Sequence, residues 1–151
     1  MIRVYRISKP AYVATSLSGQ GSALYPGRWN SQGVRLAYTA GSVALAMLEM
    51  LVHVDKEDVP VGQRLLSFDI PEDAVADLDI LPAGWDQLPY SAAVRAAGDD
   101  WIAAASSLGL RVPSAVARHE WNVLLNPAHP RIGNILPVAD EDLVLDPRLF
   151  E

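Results

Sequence analysis

The sequence predicts an α+β domain, because segments with a two-residue hydrophobic period are interleaved with segments whose apolar residues recur at helical spacing. Ile2–Ile7, Gly33–Thr39 and Gln63–Ile70 form the first group; Gly41–Val54 and Ser91–Leu108 form the second. Nothing repeats and no low-complexity linker divides the 151 residues. One domain over residues 1–151 is therefore expected, large enough to bury roughly 70% of its unfolded surface.

In the opening strand Ile2, Val4 and Arg6 alternate with Arg3, Tyr5 and Ile7. Arg6 then either faces a cleft or sits at a strand edge in solvent. Ser8 to Asn30, punctuated by Gly19-Gln20-Gly21 and Tyr25-Pro26-Gly27, reads as a long loop of the kind that carries function, with Arg28 free to reach a ligand. Gly19–Ser22 is no phosphate loop, since no lysine follows it, and no G-x-G-x-x-G follows a strand.

Gly33–Thr39 turns Val34, Leu36 and Tyr38 inward. Gly41–Val54 has Ser42 as its N-cap and apolar residues around most of its circumference, which predicts a largely buried helix. Glu49, the one charge between Val43 and Val52, shares a narrow stripe with Ser42, Ala46 and His53. A dry, unpaired carboxylate costs several kcal/mol. The stripe is therefore either a thin solvated face or the floor of a cleft, with a cation or a hydroxylated ligand beside Glu49.

Asp55–Gly62 reads as a charged turn, and Pro71 ends the strand Gln63–Ile70. Ser91–Leu108 is the second helix, with Gly109 as its stop and Gly98 as a weak point. Arg111–Val116 and Trp121–Leu125 read as further strands. Asn126-Pro127 opens a turn through Pro130 and Gly133, and the tail alternates Leu143 with Leu145.

Twelve basic and eighteen acidic residues give a net charge of −6, with no Lys/Arg cluster longer than a pair. That disfavours nucleic acid or an anionic membrane as a direct partner, so an anionic ligand needs a local basic pocket. The absence of cysteine removes disulfides, thiolate catalysis and Cys-based zinc sites. His53, His119 and His129 lack ligand spacing, so no metal is expected. The N-terminus does not read as a signal peptide and no apolar run reaches membrane-spanning length, which makes a soluble, cytoplasmic protein the expectation.

The spacing of Arg28, Tyr38 and Glu49, within the words GRWN, AYTA and ALAMLEMLVH, resembles the RES domain. VYRI, RLLSFDIP, VPSAV, WNVLLNPAHP and LVLDPRLF resemble that family's other blocks in its order, so the likeness spans essentially the whole chain. The resemblance implies a split, two-sheet core of the ADP-ribosyltransferase and diphtheria-toxin type, with an NAD cleft between the sheets. It further implies the toxin of a type II toxin–antitoxin pair, an NAD glycohydrolase that takes NAD as substrate and needs no cofactor. Its partner would be an Xre-type helix-turn-helix antitoxin that occludes the cleft and carries the DNA binding. Homo-oligomerisation is left open.

Cleaving the nicotinamide–ribose bond expels a neutral leaving group through an oxocarbenium-like transition state. Arg28 suits the pyrophosphate through its forked donors, Tyr38 the nicotinamide end by stacking, and Glu49 the developing positive charge. Without the resemblance, the same residues read as a loop cation on Trp29, a core aromatic and the wet side of a helix. Ser114 in VPSAV matches the family's serine, to hydrogen-bond ligand or to position Glu49; a nucleophilic role lacks G-x-S-x-G and an oriented histidine. Asn122 and Asn126 fall in a family-like block, as amides that fix the turn or contact ligand.

In arginine-modifying ADP-ribosyltransferases an acidic or amide residue precedes the catalytic glutamate by two positions. Here that place is Met47, which favours attack by water or phosphate over transfer to an arginine. The alternatives are an NAD phosphorylase, an ADP-ribosyltransferase acting on another protein target, a non-catalytic NAD or ADP-ribose binder, and an interaction scaffold without a ligand.

Overall fold

The computed structural model describes residues 1–151. Seven strands form one sheet: β1 (Ile2–Ser8), β2 (Ala37–Ala40), β3 (Arg64–Ile70), β4 (Val75–Asp77), β5 (Gly109–Pro113), β6 (Trp121–Leu125) and β7 (Leu136–Asp142). Three α-helices accompany it, α1 (Gln20–Leu24), α2 (Val43–Leu51) and α3 (Ala92–Ala104). The spatial order is β4-β5-β6-β2-β1-β3-β7, with β4 and β5 parallel and every other pair antiparallel.

The expected α+β class holds, but the expected split into two sheets is corrected: hydrogen bonding runs unbroken from β4 to β7. The join between β2 and β1 is slender, however, with Tyr5 opposite Ala40 as its one registered pair. Elsewhere on β2 the side facing β1 is open, and Arg6 Nη1 donates to the Tyr38 carbonyl at 2.8 Å in place of a strand N–H. A side chain thus bridges the two strands where they part.

Apolar residues cover both faces of the sheet at its centre. Val123 and Leu125 of β6 pack with Val4, Leu66, Phe68 and Ile70 on one face; Leu124 packs with Trp29, Leu36, Val94 and Trp101 on the other. Such a strand is a continuous apolar run rather than an alternating one, and each fully buried Val or Leu contributes about 1.5–3 kcal/mol. On the second face α3 covers β5 and β6 through Val94 and Trp101, while Leu45 and Ala46 of α2 pack against Ala40, Tyr5 and Ile7.

Several expectations shift. Gly33–Thr39 shortens to Ala37–Ala40 because side chains occupy the preceding backbone: Asn30 Nδ2 donates to Val34 O at 3.0 Å, and Ser22 Oγ both donates to Leu36 O and accepts from Leu36 N. Ser42 caps α2, accepting from Leu45 N at 3.1 Å. The helix is nevertheless only partly buried, since Leu48 and Val52 are exposed and the packed side is limited to Leu45 and Ala46. An apolar circumference does not bury a helix that only one layer covers.

Ser91 caps α3, but the helix stops at Ala105, in the left-handed region at φ 51°, rather than at Gly109. Gly109 instead begins β5, where a side chain would press on Val75 and Val123. Gly98 is where α3 crosses the Trp29 backbone; an added Cβ would lie 1.6 Å from the Trp29 carbonyl oxygen. The long loop after Ser8 contains a 3-10 turn, Pro10–Thr15, and α1. β7 was unexpected, because LPVADED has a proline and three acidic positions at its end; it is an edge strand, and Arg64 of β3 pairs with Asp140 and Asp142 across the ladder.

Candidate active site

A cleft of about 870 Å³ opens where β1 and β2 part. Tyr5, Arg6, Tyr38 and Ala40 line it from the sheet, Ala46, Glu49 and Met50 from α2, and Asp86, Leu88 and Tyr90 from the segment before α3. Arg28, Asn122 and Val116 complete the circuit. Five of the six residues expected at the site therefore share one cavity: Arg6, Arg28, Tyr38, Glu49 and Asn122.

The sixth, Ser114, does not touch the cleft. Its side chain is buried behind Glu49, and its hydroxyl accepts from Val116 N and Ala117 N, both at 3.1 Å. With both lone pairs engaged, the proton must go elsewhere, and it goes to Glu49 Oε1 at 2.8 Å. Of the two roles expected for Ser114, ligand contact or positioning of Glu49, the geometry favours the second, and a nucleophilic role has no geometric support. Asn122 Nδ2 donates to the same Oε1 at 2.8 Å. The amide must be oriented this way, since the flipped form would set its carbonyl against the carboxylate. Two donors hold Oε1, while Oε2 carries no protein hydrogen bond and belongs to the cleft.

Tyr38 is held with equal care. Its hydroxyl accepts from Trp29 N at 3.0 Å and donates to Asn30 Oδ1 at 2.6 Å, and burial pushes its pKa well above the ordinary tyrosine value. Its ring packs against the Trp29–Leu124 cluster and lines the cleft. Asn30, fully buried, also receives Gly27 N at 2.9 Å and donates to Ser22 O at 2.7 Å, so one amide fixes both the Gly27 turn and the tyrosine. Gly27 is required there, because a Cβ would meet Tyr38 Oη at 2.7 Å.

Arg28 Nη1 donates to the carbonyls of Trp85 at 2.7 Å and Gln87 at 3.0 Å, and its guanidinium lies 4.7 Å from the centre of the Tyr90 ring. It does not lie on Trp29. Arg6 is largely buried, its pKa lowered by desolvation, and its Nε has no partner. Six of the ten arginines pair with acids; neither Arg6 nor Arg28 does. Two cations without an ion pair therefore line one cavity, alongside Glu49 and Asp86, and give it a local attraction for anions in a chain of net charge −6.

Asn126, weighed as a turn-fixing amide, is buried; it donates to Ile102 O and accepts from Ala128 N, away from the cleft. Sequence reasoning missed Asn30, Asp86 and Tyr90. Asn30 follows Arg28-Trp29 directly and a fully buried amide leaves no periodic trace. Tyr90 was legible only as the residue before the Ser91 cap.

Comparison with known proteins agrees with this architecture. The RES domain profile matches residues 3–146, and the chain belongs to that family. It is 42% identical over 126 residues to "Toxin Res" of Photorhabdus laumondii, an alignment covering 82% of this chain and 81% of that protein. It is 35% identical over 153 residues to the "Prs ADP-ribosylating toxin" of a Sphingobium species, covering 97% and 95%. Among solved structures, a chain of the M. tuberculosis MbcT–MbcA toxin–antitoxin complex superposes with a TM-score of 0.75 at 21% identity, covering 98% of this chain and 86% of that one, a likeness of fold. No helix is long and apolar enough to cross a membrane.

Proposed function

We propose that this chain is the toxin of a toxin–antitoxin pair and that its cleft cleaves NAD between nicotinamide and ribose. The observation that carries the reading is the Glu49 carboxylate, gripped through one oxygen by Ser114 and Asn122 and presenting the other to a cleft that also holds two unpaired arginines. The names of the relatives at 42% and 35% identity support the toxin assignment and the use of an ADP-ribosyl donor.

In the proposed reaction the C1′–N bond breaks with its electron pair moving to the pyridinium nitrogen, so nicotinamide leaves neutral and needs no acid. Glu49 faces the oxocarbenium-like ribose, Tyr38 offers its ring to the nicotinamide end, and Arg28 with Arg6 neutralises the pyrophosphate. Water then bonds to C1′ and releases a proton, giving ADP-ribose. A fixed anion in such a site is worth about 3–4 kcal/mol, or two to three orders of magnitude in rate.

A second reading, transfer to a protein, is favoured by the ADP-ribosylating relative; phosphate is a further acceptor. Met47 in place of an acid or amide two residues before Glu49 argues against an arginine acceptor. The partner would be an antitoxin that covers the cleft, of the Xre-type helix-turn-helix class. The test is to incubate the purified protein with NAD and follow nicotinamide release, with and without phosphate and bacterial lysate. ADP-ribose supports hydrolysis, ADP-ribose 1″-phosphate supports phosphorolysis, and labelled protein supports transfer. Tight NAD binding without nicotinamide release would instead mark a non-catalytic binder.

A further inference from the structure

The segment Trp85–Tyr90 has so far no function beyond forming one wall of the cleft. Its contacts with Arg28 are specific in kind. Nη1 of Arg28 has two protons, and both are directed at backbone carbonyls, of Trp85 and Gln87. The Tyr90 ring supports the guanidinium at 4.7 Å from its centre and has Arg95 at 5.8 Å. Nε and Nη2 have no protein acceptor. That remaining edge, two parallel N–H vectors in one plane, is the one that fits two oxygens of a phosphate.

The segment is itself anchored at both ends. Asp86 pairs with Arg118 at 2.8 Å, which ties the segment to the turn that follows Ser114. Ser91 Oγ donates to Ala83 O at 3.1 Å and accepts from Val94 N at 3.1 Å, which ties the start of α3 to the chain just before the segment. Tyr90 lies between these anchors. Arg28, by contrast, follows Gly27 in a loop and has a long side chain with much rotamer freedom to lose on binding.

We propose that Tyr90 is a positioning residue that holds the Arg28 guanidinium by its face while the neighbouring carbonyls hold one edge, so that the other edge is aimed at a diphosphate. This rests on the NAD reading above. The ligand chemistry is a diphosphate bridging two nucleosides, gripped in the ground state and the transition state alike, so the effect falls on affinity rather than on the chemical step.

The test compares wild type with Tyr90→Leu, Tyr90→Gln and Tyr90→Phe for nicotinamide release, together with inhibition by inorganic pyrophosphate and by free nicotinamide. Without the ring, KM for NAD and the pyrophosphate inhibition constant rise roughly tenfold, while kcat and nicotinamide inhibition stay within about twofold. Tyr90→Phe, which keeps the ring, restores the wild-type KM. Tyr90→Gln suits the half-buried position and carries the same expectation if the leucine variant does not fold. A wild type that turns NAD over while the ringless variants keep its KM and its pyrophosphate inhibition overturns the role of Tyr90 alone. A fall in kcat with no change in either constant overturns it too. A wild type inert towards NAD removes the underlying reading instead.

Discussion

Ser114 and Glu49 are 65 residues apart in the chain and 2.8 Å apart in the fold, joined through a hydroxyl whose proton has one direction open to it. The Ser114→Ala variant loses that bond and leaves Val116 N and Ala117 N without their acceptor. Stability should fall by about 1–3 kcal/mol, and kcat for nicotinamide release roughly tenfold, as the carboxylate gains freedom. Urea unfolding and steady-state kinetics on the same sample check both. Full activity in a folded variant would show that Asn122 alone orients Glu49.

Gly98 offers a test of how the scaffold carries the site. Alanine is the better helix former by about 1 kcal/mol, so propensity alone predicts stabilisation by Gly98→Ala. The Cβ, however, would stand 1.6 Å from the Trp29 carbonyl oxygen, a distance at which backbone must move. The predicted outcome is a loss of several kcal/mol, with Trp29 and hence Arg28 displaced; thermal unfolding decides the sign.

Tyr38 sets an expectation for alkaline pH. Its folded pKa is raised by burial, so the folded state keeps a proton that the unfolded chain releases near pH 10. The associated stability is fully present below about pH 10 and is lost as pH climbs towards the folded value, at up to about 1.4 kcal/mol per pH unit. Tyr38→Phe should be less stable than wild type at neutral pH by about 1–3 kcal/mol, because Trp29 N and Asn30 Oδ1 lose their partner. Its decline above about pH 10 should be shallower by up to that slope, as read from urea midpoints across the range.

Much of the site was legible because helical spacing and loop chemistry are local. Ser42 as the cap of α2, Glu49 as its lone charge and Arg28 beside Gly27 all follow from neighbouring residues. What was not legible depends on pairing between distant segments. The single sheet in place of two rests on one pair, Tyr5 with Ala40, and on Arg6 bridging the strands beside it. β7 escaped because an edge strand with Pro137 and exposed acids carries no hydrophobic alternation. For Ser114 the choice between ligand contact and positioning of Glu49 stayed open, because its family position marks the site without saying on which side of Glu49 it lies.

The measurement that bears most directly on the account is kcat/KM for nicotinamide release by Glu49→Gln. The glutamine carbonyl oxygen can keep both donors, Ser114 Oγ and Asn122 Nδ2, which places the amide nitrogen at the cleft position of Oε2. Geometry and melting temperature are therefore preserved while the charge is removed. The account predicts a fall of roughly a hundred- to a thousandfold. A glutamine variant as fast as wild type would contradict it.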